Sequence, residues 1–411
     1  MTNSITLHSS ASSAARLTPA LVTLLACLAA LGALSTNIIL PSFPTMAADL
    51  GATTRELGVT VSGFLLAFAL GQIVVGPLSD RYGRKPFVLG GLVVFVAGSV
   101  VAASGDSLGL VVAGRVIQAL GVCAASVLSR AIARDLFDGA ALGRALAFTM
   151  VAMAAAPGFS PLLGAAIDST LGWRASFLFV GALGFLVALF YGAALGETNP
   201  PARRSSARFA DIVGAYGQLL VNPSFIPPAL SVSLIVGGLY AFFASAPAIL
   251  IDDMQLDTIE FGMFFAATVL VVFGSGMIAP RLAKRFGQKQ IALAGAVIAL
   301  AGAIILLASG LADFGLAGFA VAITIFLLGM GMANPLGTAI TLHPFGHQAG
   351  IASALLGFLQ MGCAAVAITS AALFATTAAI ALAIVLLVST GIAVVFFMAA
   401  PNDRQEDHHD A

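Results

Sequence analysis

Long apolar stretches separated by short polar breaks run along the whole chain. A helix that crosses the hydrocarbon core of a membrane needs about 20 apolar residues, and twelve stretches come close to this length or exceed it. None of them alternates apolar and polar residues as the strands of a membrane β-barrel do. The pattern therefore predicts an all-α integral membrane protein with twelve transmembrane helices. The predicted spans are 18–40, 57–78, 87–105, 108–129, 144–167, 175–195, 225–250, 261–281, 290–311, 315–338, 349–371 and 374–399.

The composition excludes most other classes of protein. The 411 residues are 60% hydrophobic and only 9% charged, with a mean hydropathy of +1.05, whereas soluble domains carry about 25% charged residues. A formal net charge of zero argues against a nucleic-acid partner, which needs a basic face. The sequence has no phosphate-binding loop, zinc spacing or nucleophile elbow. We therefore expect a lipid bilayer as the surroundings, no metal, no cofactor, no catalytic residue and no enzymatic activity.

The distribution of basic residues predicts the orientation, because cytoplasmic loops are enriched in Lys and Arg. With the N-terminus inside, fifteen of the eighteen basic residues lie on the cytoplasmic side, Arg55 and Arg174 lie outside, and Arg115 falls within a span. We expect a multi-pass protein of the bacterial inner membrane with both termini in the cytoplasm. The fifteen residues are Arg16, Arg81, Arg84, Lys85, Arg130, Arg134, Arg144, Arg203, Arg204, Arg208, Arg281, Lys284, Arg285, Lys289 and Arg404.

The chain divides into two bundles of six spans joined by its longest polar connector. Each bundle carries a related basic turn after its second span, centred on Gly83 in the first and on Gly287 in the second. Parallel repeats of this kind are typical of secondary transporters that rock about a central site. The predicted boundaries are a disordered cytoplasmic N-terminus (1–16), an N-terminal bundle (17–196), a cytoplasmic linker (197–222), a C-terminal bundle (223–400) and a cytoplasmic tail (401–411).

The segment 76–86 (Gly-Pro-Leu-Ser-Asp-Arg-Tyr-Gly-Arg-Lys-Pro) resembles the signature loop of the major facilitator superfamily. Segment 115–121 is similar to the fourth-helix motif of its proton-coupled members, and segment 157–164 to the fifth-helix motif of antiporters. Segments 40–44, 172–177 and 345–353 resemble the Bcr/CflA branch of drug:proton antiporters. The resemblance implies the major facilitator fold, with two pseudo-symmetric bundles. It also implies the export of small lipophilic drugs in exchange for protons by alternating access.

The signature loop predicts a conformational latch, in which ion pairs and helix-end dipoles hold the two bundles together in one state and release them in the other. A glycine at position 83 fits a turn whose backbone conformation a Cβ atom would forbid. The fifth-helix motif predicts a bent helix that approaches a neighbour closely. The latch residues are Gly76, Asp80, Arg81, Gly83, Arg84 and Lys85, and the motif residues are Pro157, Gly158, Pro161 and Gly164.

Polar and soft apolar side chains within the spans are candidates for a substrate cavity near the midplane. A lone Arg115 in lipid is costly, so it should face the bundle interior, where we expect it to hydrogen-bond Asn37 and contact the substrate. Met and aromatic walls suit varied hydrophobic ligands. The candidates are Asn37, Arg115, Gln118, Met150, Met153, Tyr240, Phe243, Asn334 and Gln360.

Position 37 differs from the pattern of the branch, which usually carries a membrane-embedded Asp where this chain has Asn37. An amide does not take up and release a proton at physiological pH. Two alternatives to a monomeric proton-coupled exporter therefore stay open. One is a proton-independent facilitator or exchanger for a small polar metabolite such as a nucleoside or sugar. The other is a receptor or scaffold that does not transport.

Overall fold

The computed structural model of the protein describes residues 18–204 and 209–400. The predicted disordered N-terminus (1–16) and the whole predicted tail (401–411) lie outside these residues. The described residues form fourteen α-helices, and twelve helical segments are long and apolar enough to cross a membrane. The helices are α1 (Pro19–Asn37), α2 (Phe43–Leu50), α3 (Gly58–Tyr82), α4 (Arg84–Ala103), α5 (Leu108–Leu136), α6 (Gly139–Leu171), α7 (Trp173–Ala194), α8 (Phe209–Leu220), α9 (Ile226–Ala246), α10 (Thr258–Phe286), α11 (Gln288–Ala312), α12 (Gly315–Leu342), α13 (Ala349–Leu373) and α14 (Ala378–Ala399).

All twelve predicted spans are confirmed, because lipid cannot hydrogen-bond the backbone and each apolar stretch must satisfy its own amide groups as a helix. Polar residues fix several helix starts. The hydroxyl of Ser107 accepts from the amide of Leu110 at 3.3 Å, and Asp257 and Glu260 form a reciprocal capping box at α10. The weak break between the last two spans is a turn of four residues, 374–377, closed by Thr377 at the start of α14.

The first span does not end where the sequence pattern predicts. α1 stops at Asn37, and the chain passes through a short turn (Leu40–Ser42) into α2. Pro41 and Pro44 lack an amide hydrogen, which explains why the α-helical ladder is interrupted here. The seventh span also loses regular α-helix near its end, since α9 ends at Ala246 and the chain continues as a π-helix, Pro247–Asp253. The two broken ends pack against each other.

The packing order of the first six spans repeats in the last six. In the first set α4 packs along α5 and α7, and in the second set α11 packs along α12 and α14. In the same way, α1 packs against α6 in the first set and α9 packs against α13 in the second. The two most extensive contacts between the sets are those of α3 with α13 and of α6 with α10. The repeat extends to the backbone of the related turns, where Gly83 has φ +105° and Gly287 has φ +91°. Only glycine adopts these angles without strain.

The predicted linker contains an amphipathic helix, α8, that the polarity of the connector did not reveal. Its Tyr216 and Leu219 are buried against α13. The hydroxyl of Tyr216 donates a hydrogen bond to the carbonyl of Ile73 in α3 at 3.2 Å. The linker is thus packed onto one end of the spans, the end with most of the basic residues, which we call the basic end.

Candidate functional site

Arg115 lies in α5 and is completely buried, as are Gln118 in the same helix and Ser35 in α1. Arg115 Nη1 donates to the carbonyl oxygen of Ser35 at 3.0 Å and to Oε1 of Gln118. Gln118 Nε2 in turn donates to the hydroxyl of Ser99 in α4 at 2.8 Å. The guanidinium lies over the ring of Phe64, 4.2 Å from its centroid, a stabilising cation–π contact. These residues, which we call the arginine cluster, join four helices.

The arginine cluster has unused hydrogen-bonding capacity. Nε and Nη2 of Arg115 and Oδ1 of Asn37 are buried without a hydrogen-bond partner. Asn37 Nδ2 donates to the carbonyl of Ala33 at 2.8 Å, one turn back in α1. The predicted hydrogen bond between Arg115 and Asn37 is therefore wrong for this conformation, because each side chain donates to a backbone carbonyl instead. Buried donors and acceptors without partners are costly, so these atoms are available to a ligand or to another conformation.

The other predicted cavity residues are spread over the molecule. Phe243 is buried in an aromatic group with Tyr240, their ring centroids 5.9 Å apart. Met150 is 64% exposed, and its neighbour Met153 is half-buried. Asn334 and Gln360 are also half-buried. The structure therefore groups Arg115 with Gln118 and Tyr240 with Phe243, and it leaves Met150 outside both groups.

The predicted fifth-helix motif lies in α6, which contains Pro157 and Pro161 within its length. Its two glycines are points of close approach. A Cβ atom on Gly158 would overlap the side chain of Val269 in α10, and one on Gly164 would overlap the carbonyl of Ile38. Gly158 therefore sits in the contact between the first and last six spans, and Gly164 lies against the break in the first span.

The latch residues surround the turn between α3 and α4. Arg84, the first residue of α4, forms an ion pair with Asp80 near the end of α3. It forms a second ion pair with Asp135 at the end of α5, in which Nε of Arg84 lies 3.2 Å from Oδ2 of Asp135. Lys85 Nζ donates to the carbonyls of Gly192 and Leu195 at 3.1 and 2.8 Å. Arg81 is exposed and stacks on the adjacent Tyr82, and Gly76 lies half-buried in α3. In this conformation the ion pairs of the latch stay within the first six spans.

Glu197 binds two of the predicted latch residues, and the sequence interpretation missed it. Its carboxylate accepts the backbone amides of Arg84 at 2.8 Å and Lys85 at 3.1 Å, and so caps the start of α4. A Cβ on Gly83 would lie 2.5 Å from this carboxylate. Partial burial raises the pKa of Glu197, but the amides of Asn199, Arg84 and Lys85 and the charge of Arg204 outweigh it, so that the pKa is lowered overall. The available sequence signal was an acid directly after the sixth span, opposite a basic helix start.

A cavity of about 320 Å³ opens beside the latch at the basic end, between α3 and α5 on one side and α13 on the other. Asp80 and Arg84 line it together with Gly76, and Tyr216 of α8 forms part of its wall. None of the nine predicted substrate-contacting residues lines this cavity. A second, apolar cavity of about 520 Å³ lies between α1 and the first half of α6.

The opposite end of the molecule is closed. Arg55, before α3, donates to two backbone carbonyls of the turn between α13 and α14, Phe374 at 2.8 Å and Thr376 at 2.6 Å. Beside this two-point contact, Leu40 and Phe43 of the broken first span and Ile249 of the broken seventh span are completely buried. We call Arg55, the two carbonyls and these apolar residues the seal. It joins the first six spans to the last six.

Comparison of the sequence with family models and with known proteins leads to the same family as the signature loop, the repeat and the twelve spans. The family model "Major Facilitator Superfamily" matches residues 25–368. The chain belongs to this superfamily. It is 31% identical over 344 residues to the uncharacterized MFS-type transporter YdgK of Bacillus subtilis (strain 168), covering 83% of this chain and 86% of that one. It is 28% identical to multidrug resistance protein D of Escherichia coli (strain K12), covering 83% and 85%.

Solved structures give the same fold. The crystal structure of a D-xylose–proton symporter superposes with a TM-score of 0.73 over 93% of this chain and 97% of that one, at 17% identity. The resemblance to the Bcr/CflA branch is confirmed by relatives named for multidrug and bicyclomycin resistance. The protein is a major facilitator transporter and a multi-pass protein of the bacterial inner membrane. Among the described residues, no three His, Cys, Asp or Glu side chains are grouped so that they could hold a metal ion.

Proposed function

We propose that the protein exports small lipophilic compounds from the bacterial cytoplasm in exchange for protons. The observation that carries this proposal is one-sided access: a cavity of about 320 Å³ opens at the basic end, whereas the seal closes the other. Alternating access requires one open and one closed gate around a site between two repeats. The relatives named for multidrug and chloramphenicol resistance and the apolar cavity beside α1 support a lipophilic cargo.

In this proposal the basic end is the cytoplasmic side, and both termini lie there, as expected from the excess of Lys and Arg. Residues 17–196 and 223–400 rock as two bodies, joined by the linker 197–222. A single chain carries both gates, so a monomer is sufficient. The arginine cluster, Asn37 and the aromatic pair Tyr240 and Phe243 contact the cargo once the bodies have moved.

Proton coupling needs an acid other than the residue at position 37. We propose Asp168 for this role. It lies inside α6, four residues beyond Gly164, and its carboxylate oxygens accept from the hydroxyl of Thr45 in α2 at 3.1 and 3.2 Å. A proton on Asp168 would change this contact, which links the helix of the antiporter-type motif to the seal.

The alternative is a proton-independent facilitator or exchanger for a small polar metabolite such as a nucleoside or sugar. One observation favours it: none of the fully buried side chains of the described residues is acidic, and Asn37 is fully buried where the branch usually carries Asp. A transporter of this kind needs no titratable group within its spans.

Transport into proteoliposomes with an imposed pH gradient distinguishes the two. Lipophilic antibiotics such as chloramphenicol are tested beside uridine and glucose. Proton-coupled export predicts that antibiotic accumulation follows the size and direction of the gradient. Uptake that ignores the gradient would contradict it, and equilibration of the polar compounds alone would favour the alternative.

Two acid variants locate the coupling group. Asp168→Asn is expected to retain cargo exchange but lose the response to the gradient. The matched control is Asp106→Asn, whose carboxylate lies near the same end with a side chain 93% exposed. A full gradient response in Asp168→Asn would exclude Asp168 as the coupling acid.

A further inference from the structure

The cavity at the basic end carries an unbalanced positive charge. Four charged side chains line it: Asp80, Arg84, Arg130 and Arg134. Asp80 and Arg84 neutralise each other as an ion pair, and Asp135, which pairs with Arg84, is not among the lining residues. Neither Arg130 nor Arg134 forms an ion pair or hydrogen bond with any described residue. Two guanidinium groups therefore face the cavity without an anion.

The position of these arginines concentrates their charge. They lie one turn apart on α5, so their side chains project from the same face of the helix. Arg130 is half-buried and Arg134 is exposed. The facing wall includes Ala349 and Gly350, the first residues of α13, a helix of 25 residues. The free backbone amides and the dipole of a helix start favour negative charge as well.

Much of the rest of the cavity wall is apolar, although the uncharged polar side chains of Gln72, Tyr216, Gln348 and Ser353 also line it. The apolar part restricts the kind of anion that fits. Val127 and Leu128 of α5 and Ile351 and Ala354 of α13 line it. A strongly hydrated inorganic ion gains nothing from such a wall, whereas a ring or short chain attached to an anionic group removes apolar surface from water. The volume of about 320 Å³ is at the lower limit of typical small-molecule pockets.

We propose that this cavity binds organic anions, compounds with a carboxylate, sulfonate or phosphate group on a compact apolar body. Arg130 and Arg134 hold the anionic group near the start of α13, and the apolar walls contact the body. An anion bound here occupies the space between Asp80 and α13 and so holds the basic end open. If the protein exports its cargo as proposed above, the charged compounds that enter from the basic end are organic anions and not lipophilic cations.

The test uses the purified full-length chain and two probes that differ mainly in charge. Benzenesulfonate and phenyltrimethylammonium have the same ring and a tetrahedral charged group of similar size. Binding is measured by calorimetric titration in detergent at low ionic strength, because salt screens such charges. We expect benzenesulfonate to bind at least about tenfold more tightly, since both guanidinium groups attract the anion and repel the cation. Inorganic phosphate should bind more weakly than benzenesulfonate.

Variants test the role of the two arginines. Arg130→Gln with Arg134→Gln should weaken benzenesulfonate binding about tenfold, whereas the control Arg144→Gln, which removes an exposed arginine of α6 outside the cavity lining, should leave it unchanged. Arg130→Glu with Arg134→Glu should reverse the preference in favour of phenyltrimethylammonium, a gain that misfolding cannot produce.

Three results would overturn the proposal: equal affinity for the two organic probes, unchanged binding in the double glutamine variant, or phosphate binding as tight as that of benzenesulfonate. Because binding is measured without a membrane gradient, its failure is distinguishable from a failure of proton-coupled export. A protein that binds the sulfonate but does not respond to a pH gradient would keep this site and lose only the proposed coupling.

Discussion

Asn37 and Arg115 are both fully buried among the first six spans but do not hydrogen-bond each other. Arg115 uses a backbone carbonyl and Gln118, and it stacks on Phe64. A buried guanidinium without a carboxylate is costly unless other groups take its place, and here a carbonyl, an amide and an aromatic ring do so. The arrangement accommodates the charge without any titratable partner at position 37.

Asn37→Asp should therefore change how transport depends on pH. A carboxylate at this position can pair with the unused donors of Arg115 and can bind and release a proton, which the amide cannot. We expect the change in transport rate per pH unit to be at least about threefold larger in the variant than in the wild type. The measurement is the initial rate of antibiotic uptake into proteoliposomes across the neutral range.

The matched control for this prediction is Asn222→Asp, which makes the same change in the connector before α9, outside the spans. An Asn37→Asp profile that superposes on those of the wild type and the control would show that position 37 takes no part in coupling.

Glu197→Gln should weaken the latch. Two backbone amides at the start of α4 donate to this carboxylate, and hydrogen bonds to a charged group contribute about 1.5–3 kcal/mol each at most. Because exposure reduces this value, we expect a loss of about 1–2 kcal/mol in the free energy of unfolding. The midpoint of thermal unfolding in detergent measures it.

The lowered pKa of Glu197 also predicts a pH dependence. A lowered native pKa stabilises the folded protein above the unfolded pKa, about 4.3 for Glu. This contribution is lost as the pH falls through the native value. The difference in stability between wild type and Glu197→Gln should therefore be constant near neutral pH and shrink below about pH 4. A difference that is independent of pH would contradict the role of the charge.

At the scale of the elements, helix breaks and turns determine where the two sets of spans meet. The first and seventh spans both lose regular α-helix near the same end, and their broken ends pack together in the seal. The Arg55 side chain fastens this contact by bonding the turn between α13 and α14. Because its partners are backbone carbonyls, the contact depends on the shape of the turn and not on the side chains there.

Arg55→Ala should loosen the seal. Two charge-assisted hydrogen bonds between the first and last six spans are lost, which favours conformations open at this end by roughly 1–3 kcal/mol. Hydrogen–deuterium exchange should become faster in the turn 374–377 and at the start of α3, and slower around the cavity at the basic end. Arg174→Ala is the control, because Arg174, near the same end, bonds only within the first six spans. Equal hydrogen–deuterium exchange in the two variants would show that Arg55 does not hold this end closed.

At the scale of the whole molecule, the latch and the seal occupy opposite ends. Among residues 18–204 and 209–400, the side-chain-to-backbone hydrogen bonds that directly join the two sets of spans are those of the seal. The latch is instead separated from α13 by the cavity. We propose that Asp80 approaches the start of α13 when the basic end closes, because the helix dipole there favours a negative charge. In this proposal the two ends stabilise opposite conformations.

Asp80→Asn should consequently favour the conformation seen here. Loss of about 1–2 kcal/mol from the closed basic end corresponds to a population shift of about tenfold, so transport should fall to a similar extent while the amount of protein in the membrane is unchanged. Uptake assays with quantified protein check this. Asp138→Asn removes an exposed acid of the turn between α5 and α6 and should transport normally. Normal transport by Asp80→Asn would contradict the latch.

The sequence was sufficient to predict the twelve spans, the repeat and the glycine turn at position 83. Lipid forces each apolar stretch to satisfy its own backbone, so span number and approximate length follow from local hydropathy. A positive φ is likewise a local requirement, which glycine signals in both repeats. The predicted end of the first span, residue 40, lies three residues beyond the end of α1 at Asn37. The short helix α2 was missed because it follows within the same apolar run, and α8 was missed because the connector around it is polar.

Tertiary structure alone decided which distant residues meet. Ser35 and Arg115 lie 80 positions apart, Glu197 reaches the start of α4 from beyond the sixth span, and Arg55 bonds a turn 319 positions away. No local pattern encodes these contacts, because they depend on how separately stable helices pack. The sequence determined that this protein is a set of twelve membrane helices in two repeats. Only their packing decided that one end is sealed and that the other holds a cavity with two unpaired arginines.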